Sequence, residues 1–312
     1  MTGEPTRDGN PHIADGLEFP EGPVALADGS VVLVEIAAGA VTRVSPDGIK
    51  TIVAQPGGGP NGAAIGPDGK CYVCNNGGFE WHVEGGHKRP ISQAKDYAGG
   101  RIERVDLATG AVERLYRAAG EVTLKGPNDL VFDRQGGFYF SDLGKVRARE
   151  MDRGAVYYAA ADGSRIIEVA FPMITPNGVG LSPDEKTLYV AETEPARLWA
   201  FDIVEPGVVR KEPWPSPHGG RLIVGVGGYQ RFDSLALDAE GRICVATLIN
   251  GGITVISPDG RHVEHHRLPD PITTNICFGG PDLRTAFVTL SWTGRLVAID
   301  WPVPGLRLNQ PG

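Results

Sequence analysis

One short segment recurs six times along the chain: ADGSVVLVE, PDGKCYVCN, RQGGFYFSD, PDEKTLYVAE, AEGRICVAT and PDLRTAFVT. Each copy is a tight turn running into an apolar strand, with an acidic residue at the turn. These residues are Asp28, Asp68, Asp133, Asp184, Asp238 and Asp282, spaced 40, 65, 51, 54 and 44 residues apart. Periods of this size suit the blades of a β-propeller. A second strand-like segment follows each copy (GAVTRVSPDG, GRIERVDLATG, GAVYYAAADG, ARLWAFDIVEPG, GGITVISPDG and GRLVAIDWPVPG), and its Gly, Asp-Gly or Pro-Gly ending marks antiparallel hairpins. A weaker third segment (TIVAQ, AVERLY, RIIEVA, RLIVGV, VEHHRL) closes five units as an outermost strand. The sixth unit has only PVPGLRLNQPG after Trp301, whereas HIADGLEF stands just ahead of the first innermost strand. The prediction is an all-β, six-bladed β-propeller of four-stranded blades, with the N-terminal strand completing blade six and closing the ring.

A length of 312 residues would by itself allow two domains, but Gly 44 and Pro 25 leave few uninterrupted stretches for helices. Radial repetition leaves only short, protected sheet edges, so a single domain is expected over residues 1–312, with the repeats at about 12–301. No apolar run approaches the roughly 18 residues of a membrane span. The opening MTGEPTRDGN has no apolar stretch behind a basic start, so a cytoplasmic location is expected, with no membrane partner. A net charge of −8 without a Lys/Arg cluster argues against nucleic acid and leaves a small molecule as the expected partner. Of the four cysteines, Cys71 and Cys74 fall three apart in a strand and point to opposite faces, as two buried thiols rather than half a zinc site. The cluster of His262, His265 and His266 falls on the outermost strand of blade five, far from the axis.

The segments leading into the innermost strands are PEGPVAL, PNGAAIG, PNDLVFD, PNGVGLS, FDSLALD and TNICFGG. Each begins with a polar side chain: Glu21, Asn61, Asn128, Asn177, Asp233 and Asn275. These lie seven residues ahead of the turn aspartate in four units and five in the other two, so rotational symmetry aims all six at one axis. Carboxylates and amides converging in a dry channel repel and stay unsatisfied unless a cation or ordered water lies among them. The oxygen-only set points to a hard divalent ion, Ca²⁺ first, with Mg²⁺ or Mn²⁺ as alternatives, and argues against Zn²⁺.

EGP at residues 21–23, PND at 127–129, PNG at 176–178 and FDSLALD at 232–238 make the chain resemble the SMP-30/gluconolactonase/luciferin-regenerating-enzyme (LRE)-like family, which is similar in architecture to diisopropyl fluorophosphatase. The resemblance implies a six-bladed propeller with one catalytic divalent metal held by a Glu, two Asn and an Asp. Here these fall on Glu21, Asn128, Asn177 and Asp233. It also implies that Asp233 is the general base or nucleophile. Asn61 and Asn275 complete the ring; the resemblance does not make them direct ligands, and they are expected to hold water or substrate. In the sugar-lactonase branch an Arg often stands two residues before the blade-three Asn, and this chain has Gly126.

The connection between the second and third strands of blade two is long, residues 77–100, and carries Phe79, Trp81, His82 and Tyr97 among glycines. It lies on the face where the innermost strands begin and is expected to act as a lid. Trp81, His82 and Trp292 are expected to shape the substrate pocket, and Asn75, Asp142, Glu192, Leu248 and Asn250 stand on the same face. A metal-dependent hydrolase opening a lactone is the first functional reading. A phosphotriesterase or fluorophosphatase at the same site, and a non-catalytic binding platform with a structural ion, are the alternatives.

Overall fold

The computed structural model describes residues 12–310. The opening decapeptide on which the reading of cellular location rests lies outside them. Six antiparallel sheets follow one another along the chain, and among the described residues there is no helix, hence none long and apolar enough to cross a membrane. The innermost strands are Pro20–Ala25, Pro60–Ile65, Pro127–Phe132, Pro176–Leu181, Arg231–Leu237 and Thr273–Gly279. Each packs against the innermost strands of its neighbours, and that of blade six meets that of blade one. The arrangement is a six-bladed β-propeller.

The packing follows from period-two alternation applied to sheets covered on both faces. In blade one, Val32 and Val34 face blade two, joining Ala63, Ile65, Cys71 and Val73. Val31 and Leu33, one step out of phase, face blade six with Cys277, Phe287 and Leu296. Each of the six blade interfaces carries one such cluster. Cys71 and Cys74 separate into the clusters on either side of blade two, both buried and free. Tyr157, Tyr158, Trp199 and Phe201, on third strands, are core between blades.

Three departures from a plain four-strand repeat matter. In blade four, Arg197–Glu205 pairs along its outer edge with both Val208–Arg210 and Arg221–Gly225. Buried His218 lies in the connection between these two, its ring against Trp199 and Phe201 at centroid distances of 4.4 and 5.4 Å. In blade six, His12–Ala14 pairs antiparallel with Arg295–Asp300 on the side away from the axis. The C-terminal segment, which shows no periodicity, crosses the far end of the ring. Gly305 and Leu306 donate backbone N–H groups to Leu283 O and Leu237 O at 2.8 and 2.9 Å, and Asn309 Nδ2 reaches Phe132 O and Glu185 Oε1 at 3.1 and 2.6 Å. A cavity of about 270 Å³, lined chiefly by apolar residues of the innermost strands, runs from Asp129 and Asn275 to this strap.

Candidate functional site

The polar residue of each innermost strand sits at a β-bulge, and the bulge is common to all six blades. Glu21 faces Val34 but Val24 faces Val32; Pro60 faces Asn75 but Ala63 faces Val73. The same one-residue slip occurs after Pro127, Pro176, Phe232 and Thr273. An extra residue kinks the strand and re-aims its side chain; the slip falls just after Glu21 in blade one and just before Asn275 in blade six, so every polar group stands at or next to a bulge. In blades one, two and four a glycine follows the polar residue and allows adjacent strands to touch: a Cβ on Gly62 would lie 2.3 Å from Asn128 O.

Glu21, Asn61, Asn128, Asn177, Asp233 and Asn275 are all buried. Asn275 Nδ2 donates to Glu21 Oε2 at 2.7 Å, while its own Oδ1 accepts the Ile276 N–H at 2.7 Å. Asn177 Nδ2 donates to Thr193 Oγ1 at 3.0 Å and to Asp233 Oδ1 at 2.6 Å. Ser234 Oγ lies 3.4 Å from Glu21 Oε1 and 3.3 Å from Asn177 Oδ1, linking blades one, four and five. Asn128 Oδ1 is buried with no hydrogen-bond partner.

Sequence reasoning missed Asp129 and Ser234. Asp129 accepts the Leu130 and Val179 N–H groups at 2.9 and 3.3 Å, and burial pushes its carboxyl up to about 7. Burial, then the charge of Asp233, holds Glu21 well above the usual carboxylate range; burial, with Asp129 behind it, does the same for Asp233. Among the described residues no three His, Cys, Asp or Glu side chains are gathered to hold a metal ion. The axial cluster is instead a mixture of carboxylate and amide oxygens. Its chemistry fits an oxygen-seeking divalent cation: two buried carboxylates want a positive charge, and an orphaned amide oxygen wants a partner.

Above this cluster, residues 77–100 form a hairpin of Phe79–Glu84 and His87–Gln93. It docks on three other blades. The Trp81 ring packs on Phe19 of blade one at 5.0 Å, and Lys88 pairs with Glu18. His87 stacks on Trp292 of blade six at 4.8 Å and bonds its carbonyl through Nδ1 at 2.8 Å, while the Gln93 N–H meets Val146 O of blade three at 3.0 Å. His82 is turned the other way, with 44% of its side chain exposed and Nε2 3.6 Å from Glu84 Oε2. Strand alternation sends Trp81 inward and therefore His82 outward. His87, across the turn, takes the contact with Trp292.

The polar residues ending the second strands pin loops. Asp142 accepts the N–H groups of Lys125, Gly126 and Gly144 at 2.7, 2.6 and 3.0 Å. Asn75 Oδ1 accepts those of Gly59 and Gly77, and Glu192 accepts Ile174 N–H and Trp199 Nε1–H. In blade five, Leu248 bridges to Ile272, and Asn250 is exposed.

The family profile described as SMP-30/Gluconolactonase/LRE-like region matches residues 19–291. The chain belongs to this family. It is similar to lactonase drp35 of Staphylococcus saprophyticus, with 29% identity over 77% of this chain and 67% of the relative, and to the gluconolactonase of Zymomonas mobilis, with 26% identity over 89% and 78%. Among solved structures, regucalcin of Agrobacterium tumefaciens, described as a calcium-binding protein, superposes with a TM-score of 0.72 at 21% identity, over 94% of this chain and 95% of that one. This family member leaves no space for a side chain at position 126. A Cβ there would lie 2.4 Å from Gly144 O, and Gly126 O accepts the Leu143 N–H at 2.9 Å.

Proposed function

We propose that the protein is a divalent-metal-dependent lactonase whose ion, Ca²⁺, is held by Glu21, Asn128, Asn177 and Asp233. The observation that carries this reading is the unpartnered, buried Asn128 Oδ1 on the same ring of innermost strands as two buried carboxylates whose protonation burial favours. When bound, the ion supplies Lewis-acid polarisation of the ester carbonyl and offsets the charge of the two carboxylates. The remaining steps belong to the chain. Thr193 and Asp233 both take hydrogen bonds from Asn177 Nδ2, which fixes the amide with its oxygen toward Ser234 and the axis. Asn275 and Ser234 hold Glu21 in the same way.

Asp233 acts as general base. It takes a proton from the attacking water as the water oxygen bonds to the carbonyl carbon, and returns it to the ring oxygen as the C–O bond breaks, leaving a hydroxy acid. Trp81 and Trp292, with Asn61 deeper in the ring, bound the space above the cluster. The closed backbone at Gly126 offers no side chain to grip a polyhydroxy ring, so the substrate is a lactone less polar than an aldonolactone. The propeller that carries this site is a single domain, closed by pairing His12–Ala14 onto blade six.

The test is a calorimetric Ca²⁺ titration of the whole chain alongside hydrolysis of alkyl-substituted γ- and δ-lactones and of aldonolactones. The expected result is one Ca²⁺ per chain and turnover that chelator abolishes and Ca²⁺ restores. A chain that binds no divalent ion, or that hydrolyses no lactone when loaded, would overturn the reading.

A further inference from the structure

Lys145 stands in the loop after the second strand of blade three and is 1% exposed. Its ammonium donates to Asn76 O at 2.9 Å and Gly78 O at 2.8 Å, and lies 4.3 Å from the Phe79 ring centroid and 5.2 Å from that of Tyr97. All four partners come from the two ends of the blade-two insertion. Asn76, Gly78 and Phe79 are where the chain leaves blade two, and Tyr97 is where it returns. A buried ammonium is costly unless its donors are satisfied, and here carbonyl dipoles and aromatic faces replace water.

The loop that carries Lys145 is itself braced. Arg147 binds Asp152 at 3.1 and 2.9 Å, the Lys145 N–H reaches Asp152 Oδ2 at 3.1 Å, and Val146 O receives the hairpin's Gln93 N–H at 3.0 Å. Tyr97 adds its hydroxyl, donated to Lys125 O at 2.7 Å. The braces come from blade three, while the hairpin's tip touches blades one and six.

We propose that Lys145 is a positioning residue that gathers both roots of the 77–100 insertion and fixes the hairpin carrying Trp81 and His87 over the polar cluster, thereby setting how tightly substrate is received. The part concerning substrate rests on the lactonase reading; the part concerning the hairpin does not. Without the ammonium, Asn76 O loses its donor, Gly78 O keeps the Ala94 N–H at 3.3 Å, and the two rings face an apolar gap. The hairpin then keeps its own ladder but loses its anchor.

The experiment is hydrogen–deuterium exchange on the full chain with Lys145→Met, which keeps an unbranched apolar stem one atom shorter and removes every side-chain donor, paired with lactone kinetics. The expected result is exchange at least tenfold faster in residues 79–93 with blades four and five unchanged, and KM raised about tenfold with kcat within about twofold, the pattern of lost ground-state binding. Unaltered exchange in 79–93 overturns the anchor, whatever happens to turnover. Faster exchange there with unchanged KM and kcat overturns the link to substrate. If Lys145→Met loosens every blade, Tyr97→Leu compared with Tyr97→Phe decides, since both remove the hydroxyl bond to Lys125 O and only the first removes the ring face met by the ammonium: faster exchange in 79–93 for Tyr97→Leu than for Tyr97→Phe supports the anchor, and equal exchange overturns it. If the wild-type chain turns over no lactone, the functional reading fails and exchange alone still decides the anchor.

Discussion

Asn177 and Asp233, on the innermost strands of blades four and five, are joined by a 2.6 Å hydrogen bond from Nδ2 to Oδ1. A flipped amide would turn its oxygen toward the Asp233 carboxylate and lose this bond, so the oxygen is committed to Ser234 and the axis. One residue thus orients a candidate ligand and restrains the candidate base.

Asp233→Asn preserves shape while removing proton affinity, so lactone turnover should fall by a factor of about 10² to 10⁴ with Ca²⁺ binding weakened but measurable. Asn177→Ala should behave differently. Loss of a neutral ligand should weaken metal affinity by at least the roughly 10- to 100-fold that loss of an outer partner costs, and excess Ca²⁺ should recover much of the activity. Titration and turnover measured together separate the two; equal rescue of both variants by Ca²⁺ would remove Asp233 from the proton-transfer step.

Gly62 predicts a steric effect on the ring itself. An alanine Cβ would lie 2.3 Å from Asn128 O and 2.6 Å from Asp129 Cα, both backbone atoms that cannot swing aside. Gly62→Ala should therefore part blades two and three at the axis, costing about 1–3 kcal/mol in denaturant unfolding and weakening Ca²⁺ binding through the displaced Asn128. Unchanged metal affinity would show that Asn128 is not a ligand.

The residues that define the blades and the polar ring were legible because their signals are local: a turn aspartate, alternating β-branched residues, and a constant offset from one to the other. What made the ring work was not local. The bulge exists only in the register between two strands, so Asp129 stands in the sequence only as the last residue of the PND motif, with nothing to mark it as a buried acid near the axis. Likewise His82 and Trp81 both looked like pocket residues until the hairpin's pairing decided which faced inward. Lys145 carried no signal, since nothing in its neighbourhood of the chain announces the carbonyls and rings it meets across 48 to 69 residues. The C-terminal strap is held mainly by backbone groups, which leave no mark in composition.

His218 sets a pH dependence. Burial, reinforced by Lys211, pushes its imidazole down to about 4 from an ordinary 6.5, and the residue is 6% exposed. The folded state therefore refuses a proton that the unfolded chain accepts, so the stability it contributes is complete above pH 6.5 and is lost as pH falls toward 4. The loss should approach about 3 kcal/mol at the lower end. His218→Leu, with no titrating group, should flatten the fall in Tm between pH 6.5 and 4 relative to wild type. Parallel Tm profiles for the two proteins would assign acid destabilisation elsewhere.

The strongest stability effect is expected where the chain's ends meet blade six. His12–Ala14 covers the outer edge of Arg295–Asp300, and buried Ala14 and Leu17 complete the cluster of Val31, Leu33, Val44, Phe287 and Leu296 between blades six and one. Deleting residues 1–17 bares that edge and removes a leucine whose burial alone is worth about 1.5–3 kcal/mol. The loss should total several kcal/mol and lower Tm by roughly ten degrees, at about 2–4 °C per kcal/mol. Deleting residues 303–312 removes the strap but no blade strand, so its effect on Tm should be smaller and felt as faster exchange at the lower ends of the innermost strands. An N-terminal deletion that unfolds with the wild-type midpoint would mean that blade six is stable with three strands, and that the ring is held by its innermost strands instead.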